Sequence, residues 1–231
     1  MKTFVVGDIH GAHKALLQCL DRANFKPEQD RLISLGDICD GYPEVRQSLE
    51  ELLKIKHFDL LIGNHDIWAL KWAVTGDRPD VWTSQGGENT VLSYKGASVP
   101  AAHIGLLKSA KPWLQFDGRL FIHGGFDPDI PLAQQTVDRF AWDRDLLNSA
   151  WRSAEAGEKR IIGHYTDIFV GHTPTQTYFS NKPLHVCNIW DMDTGAGWTG
   201  RLTIMDVETK EYWQSDPSPQ LYPGIQPRRG G

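Results

Sequence analysis

The stretch "DRLISLGDICDGYPEVRQSLEELLKI", Asp30 to Ile55, decides the fold. It opens on a short apolar run, breaks at Gly36-Asp37, and passes through a turn carrying Gly41 and Pro43. From Val45 onward its apolar residues recur at helical spacing. A strand that runs through a tight turn into an amphipathic helix is half of a parallel βαβ unit. The same pattern precedes it, where the strand "TFVVGD" (3–8) leads to the helix "HKALLQCLDRA" (13–23). A third strand, "FDLLIGNHD" (58–66), follows.

The second half of the chain has a different texture. "RLFIHGG" (119–125) and "DIFVGHT" (167–173) read as strands ending in Gly/His turns, and a helical stretch lies near 136–156. "HVCNIWDMDTGAG" (185–197), "GRLTIMDV" (200–207) and "KEYWQSD" (210–216) read as sequential antiparallel strands. The Trp-rich segment 67–96 suits either a substrate groove or a packed lid, since aromatic side chains serve both uses.

The chain has 231 residues, 40% hydrophobic, and a formal net charge of −5. That is enough for one large core, and no linker divides it. The expectation is a single domain over 1–216 and a poorly packed Pro/Gly-rich tail over 217–231. No Lys/Arg block marks a nucleic-acid footprint. No apolar signal core or membrane span is expected. Three scattered cysteines, Cys19, Cys39 and Cys187, argue against a disulfide framework or zinc knuckle and make a reducing cytoplasm the default. Cys39 reads as small buried filler.

The polar residues are the informative ones. The first strand ends in Asp8 and His10, the second in Asp37, the third in Asn64, His65 and Asp66, and later ones in His123 and His172. Each alone is an ordinary turn or surface residue. Together they would gather at the carboxyl ends of the strands, where open α/β sheets bind ligands, and a preceding glycine lets the backbone come close. Carboxylate, imidazole and amide oxygen suit manganese, zinc or iron, and the dearth of thiolates rules out a sulfur site. Two ions need one bridging carboxylate. His172 ends an apolar run whereas His164 precedes one, which favours His172. His13, His57, His103 and His185 have no motif context.

"GDIHG", "GDICD" and "GNHD", in that order, resemble the three-part signature of calcineurin-like metallophosphoesterases, and more narrowly the bacterial and bacteriophage branch of the phosphoprotein phosphatases. "FIHGG", "FVGHTP", "AWDRD" and "DMDTGA…GRLT" resemble its later motifs, so the likeness runs from Gly7 to about Thr203. It implies an α/β fold of mixed β-sheets packed as a sandwich, flanked by helices, with the metal site at the strand ends. It implies two divalent ions, manganese first and iron or zinc next. Asp8 and His10 would hold one, Asp37 would bridge, and Asn64, His123 and His172 would hold the other. His65 would protonate the leaving alcohol, Asp40 would orient it, and Arg144, with Asn64, would contact the phosphate. A metal-bound hydroxide would then act in line.

The expected function is a monomeric metal-dependent phosphomonoesterase acting on phosphoserine, phosphothreonine or phosphotyrosine in proteins or on small phosphate esters, without nucleic-acid or membrane partners. The alternatives are a dinucleoside polyphosphate hydrolase and a phosphoprotein-binding pseudophosphatase. Two departures bear on the substrate: Asp66 stands where Glu is common in the phosphatases, and Gly41 where that motif carries Arg. Arg46, one helical turn on, reads as a solvated helix residue.

Overall fold

The computed structural model describes residues 1–158 and 160–228. The chain begins with three parallel strands, β1 (Thr3–Val6), β2 (Arg31–Ser34) and β3 (His57–Leu60). Their crossovers are α1 (His13–Arg22) and α2 (Val45–Leu52). A helical region follows, with α3 (Asn64–Thr75), α4 (Asp80–Trp82), α5 (Glu88–Ser93) and α6 (Ala101–Lys108). The second sheet holds β4 (Trp113–Phe116), β5 (Arg119–Ile122), β6 (Ile168–Val170), β7 (Leu184–Val186) and β8 (Ile189–Asp191), with α7 (Val137–Trp142) and α8 (Asp145–Glu155) between β5 and β6. The chain then returns to the first sheet through β9 (Thr203–Asp206) and β10 (Tyr212–Gln214). Strand orders are β10-β9-β1-β2-β3 and β4-β5-β6-β8-β7, so both sheets are mixed.

Why continuous apolar runs become strands here follows from the pleat. Phe4, Val6 and Leu32 face the cluster that contains α1 and α2, while Val5 and Ile33 turn to the opposite side. On the second sheet Leu120, Ile122, Ile168 and Val170 face α7 and α8. Phe121 and Phe169 face inward and stack with ring centroids 4.9 Å apart. Strands β1, β2, β5 and β6 are therefore covered on both faces, as period-two alternation along an all-apolar run requires. Each fully buried large side chain contributes about 1.5–3 kcal/mol.

The structure corrects three expectations and bears on one left open. The third strand ends at Leu60, and Asn64, His65 and Asp66 form the first turn of α3. The three late strands are not one meander: β7 and β8 pair as a hairpin in the second sheet, β9 and β10 in the first. Within the Trp-rich segment, Trp72 and Trp82 join the core, which favours packing there. The tail is also packed: α9 (Ser218–Leu221) leads to Tyr222, which is 4% exposed and stacks on Tyr42 at 4.6 Å. Residues 229–231 of that tail lie outside the described residues.

Candidate active site

The loops after β1 and β2 hold each other. The amides of Ile9 and His10 both donate to the Asp37 carbonyl (3.0 and 2.8 Å), Gly11 to that of Ile38 (2.9 Å), and Tyr42 to that of His10 (2.8 Å). Within this lattice His10, Asp37 and Asp40 take left-handed φ values of 48°, 49° and 70°; His172, from the second sheet, has 69°. For side chains other than glycine each such conformation costs about 1–3 kcal/mol and persists only where the surroundings enforce it. Asp66 supplies part of that enforcement, since its Oδ1 accepts from the Ile38 and Cys39 amides (3.0 and 3.1 Å). Two glycines make room: a Cβ on Gly63 would overlap Asp37 Oδ1, and one on Gly171 would overlap Asp8 Oδ1.

Asp37 sits at the centre. Its Oδ2 lies 3.6 Å from His10 Nε2 and 3.5 Å from His123 Nε2, and its Oδ1 accepts the His65 amide at 3.0 Å. Asn64 Oδ1 is 3.2 Å from His123 Nε2. His10 Nδ1 donates to the Cys39 carbonyl (3.0 Å) and His123 Nδ1 to that of Leu35 (2.8 Å). A carbonyl only accepts, so both outer nitrogens carry the proton and both Nε2 lone pairs face inward, as in metal-binding histidines. His10, Asp37 and His65 bring donor atoms within 4.8 Å of one another, as do Asp37, His123 and His172. Asp8 belongs to neither group. Its Oδ2 accepts the His172 amide at 3.1 Å. Asp8 Oδ1 and His172 Nε2 are buried with no hydrogen-bond partner among the described residues.

Charge in this cluster is out of balance. Burial first, then Asp193 and Asp37, pushes the Asp8 carboxyl well above the usual range. Burial likewise raises Asp66 to about 7 and Asp193 to about 6. Burial, with His123 and Arg144 beside it, lowers His172 to about 3, and burial also lowers His10. Asp37 goes the other way: burial opposes its charge, but the His123, His65 and His10 imidazoles outweigh it and hold the carboxyl well below its ordinary value. Converging acceptors, two of them without a partner, and carboxyls raised for want of positive charge fit divalent cations held by oxygen and nitrogen.

Beside this cluster His65 Nδ1 donates to Asp40 Oδ2 at 2.7 Å. Asp40 is fully buried and also accepts from Trp82 Nε1 (Oδ2, 2.8 Å) and Thr90 Oγ1 (Oδ1, 2.6 Å). Thr90 Oγ1 in turn accepts the Asp40 amide at 2.8 Å. His65 packs edge-on against His10 (4.8 Å) and Trp68 (5.3 Å). All this opens on a cleft of about 650 Å³ whose wall includes His10, Asp37, Asn64, His65, His172 and Arg144. Arg144 stands where the expected helix 136–156 breaks into α7 and α8, and Asp143 Oδ1 accepts the Leu146 amide in the first turn of α8 at 3.0 Å.

The structure thus brings together every residue expected for the site, with Asp8 at its edge and Arg144 on its wall. Arg46 does not reach it: it is half-buried in the first turn of α2 and joined to Glu50 at 2.8 Å. His164 is exposed against Tyr165. Sequence reasoning missed Trp82, Thr90, Asp193 and Arg228. Trp82 and Thr90 lie in the Trp-rich segment 67–96 and Asp193 in the family-like "DMDTGA", but nothing in those letters says which side chain turns inward. Arg228 gave no signal beyond a basic pair in a Pro/Gly-rich tail.

Comparison with known proteins agrees with this arrangement. Residues 1–202 match the family model for calcineurin-like phosphoesterases. The chain is 42% identical to serine/threonine-protein phosphatase 2 of Salmonella typhimurium, over 89% of this chain and 92% of that one. It is 24% identical to the symmetrical bis(5'-nucleosyl)-tetraphosphatase of Pseudomonas fluorescens, over 91% and 93%. The crystal structure of a metallophosphoesterase from Sphaerobacter thermophilus superposes with a TM-score of 0.60 at 17% identity, covering 94% of this chain and 89% of that one, a likeness of fold. With a family match over 202 of its 231 residues and Asp, His and Asn donors converging at the ends of two sheets, the chain belongs to the calcineurin-like phosphoesterase family and is a metallophosphoesterase.

Proposed function

We propose that this phosphoesterase hydrolyses phosphate monoesters, with phosphoserine and phosphothreonine in proteins as its substrates. The observation that carries this is the His65–Asp40 pair, an imidazole held by a buried carboxylate on the same cleft wall as the donor cluster and Arg144. Identity of 42%, over most of both chains, to a serine/threonine-protein phosphatase supports the substrate class.

Asp8, His10 and Asp37 would hold one divalent ion, and Asp37, Asn64, His123 and His172 the other. Such ions, when bound, polarise the phosphoryl group and activate water. The chain's own residues do the rest. Arg144 and the Asn64 amide meet the phosphate oxygens; a guanidinium offers two parallel donors to them. His65 gives its proton to the departing alcohol oxygen, and Asp40 keeps the ring aimed. Trp82 and Thr90 keep Asp40 aimed in turn.

A dinucleoside polyphosphate is the second reading, favoured by Trp142 and Trp198 on the cleft wall, whose faces could stack a base. Turnover of a phosphoserine and phosphothreonine peptide panel beside diadenosine tetraphosphate, with manganese supplied, separates them. A clear preference for peptides is expected; preference for the nucleotide overturns the first reading.

A further inference from the structure

We propose that Arg228 is a second phosphate-contacting arginine, carried into the cleft by the C-terminal strap over Gly41. This rests on the phosphoester reading of that cleft.

The strap is tied down at every step. Ser218 N donates to the Gly200 carbonyl at 2.8 Å. Tyr222 accepts the Lys14 amide through its hydroxyl (2.9 Å) and donates to Glu44 at 2.5 Å. Asn89 Nδ2 donates at 2.5 Å to the carbonyl of Gly41 and lies 3.4 Å from that of Gln226, so one side chain joins the β2–α2 loop to the strap. Gly86 is squeezed between them: a Cβ there would meet the Pro227 carbonyl oxygen at 2.8 Å, and its own φ is 103°.

These ties deliver one side chain. Arg228 lines the cleft with His10, His65 and Arg144. One Nη lies 3.5 Å from His10 Nε2, and the guanidinium lies 3.9 Å over the face of Trp198. Stacking on an indole orients the planar fork and leaves its edges open. Its Nε is buried and has no hydrogen-bond partner among the described residues. A buried donor without an acceptor is costly, and a phosphate oxygen is the acceptor such a fork fits best.

Position 41 explains the route. Gly41 has φ 75°, and a Cβ would meet the His10 Cβ at 2.8 Å and its carbonyl oxygen at 2.9 Å. No side chain at position 41 can therefore enter the cleft beside His10. The cation that lies there instead comes from 187 residues further along the chain.

The test uses the full chain loaded with manganese. Binding of inorganic phosphate is measured by calorimetry, hydrolysis of p-nitrophenyl phosphate by kinetics, metal content by elemental analysis and folding by thermal melt. Arg228→Ala should weaken phosphate about 10- to 100-fold and raise KM in step, with metal content held; Arg228→Lys should recover part of the loss. Unchanged phosphate affinity in Arg228→Ala, at normal metal content and melting temperature, overturns the proposal. So does a gain in activity or in metal affinity, which would make Arg228 an occupant that substrate must displace. If the wild-type protein binds phosphate through Arg228 but hydrolyses none of the esters offered, the functional reading fails and the clamp stands.

Discussion

Trp82→Phe should unsettle both stability and turnover, and the cost can be worked from the contacts. Trp82 is fully buried, and its indole N–H donates to Asp40 Oδ2 at 2.8 Å. Phenylalanine fills most of that space but offers no donor. Losing a hydrogen bond to a charged acceptor costs about 1.5–3 kcal/mol, and the smaller ring forfeits about 1 kcal/mol of burial. A total of roughly 2.5–4 kcal/mol in a chain of this size lowers the melting temperature by roughly 5–16 °C. Turnover should fall with KM nearly unchanged, because the residue acts on the aim of His65 through Asp40 and touches no substrate. A double-mutant cycle isolates the cause. Asn at position 40 still accepts from the indole but carries no charge, so Trp82→Phe should cost about 1 kcal/mol less in that background. An equal cost in both backgrounds would show that Trp82 matters only as packing and would refute the Asp40 reasoning.

His65→Asn should reduce turnover about 10²–10⁴-fold while leaving metal content intact, read by p-nitrophenyl phosphate kinetics and elemental analysis; metal loss would make His65 a ligand, as its closeness to His10 and Asp37 allows. Asp66→Asn probes a carboxyl raised by burial to about 7 from an ordinary 3.8. Between those values the folded wild type retains a proton that the unfolded chain has lost, so this group's contribution to stability falls as pH rises through the window. The melting temperature of metal-stripped Asp66→Asn relative to wild type should therefore climb from about pH 4 to pH 7, and a flat difference sinks the assignment. Gly63→Ala, whose Cβ would overlap Asp37 Oδ1, should lose bound metal and several degrees of melting temperature; a variant with full metal content would show that the loop can yield.

Much of the fold was legible because apolar runs and glycine turns are local signals. "TFVVGD" and "DRLISLGD" announced parallel strands, and the helices after them kept a clear period. The assignment of β8 and β9 to different sheets was not legible, since both read as apolar strands and only tertiary packing separates them. Asn64 looked like a strand end because Leu60 and Leu61 continue the apolar run, yet Gly63 has already begun the helix entry. In the site, the residues read from the motifs fell together, whereas their supports did not declare themselves. Trp82 and Thr90 serve Asp40 from 42 and 50 residues away, and Arg228 enters from a segment whose composition suggested looseness.

The division of donors between the two sheets sets an order of assembly. Asp37 and Asn64 follow strands of the first sheet, while His123 and His172 follow strands of the second. An ion shared by these four cannot be held by either half of the chain before the Phe121–Phe169 face has docked. If these four hold an ion as proposed, its capture would be a late event in folding, and its rate would report when the two halves have met.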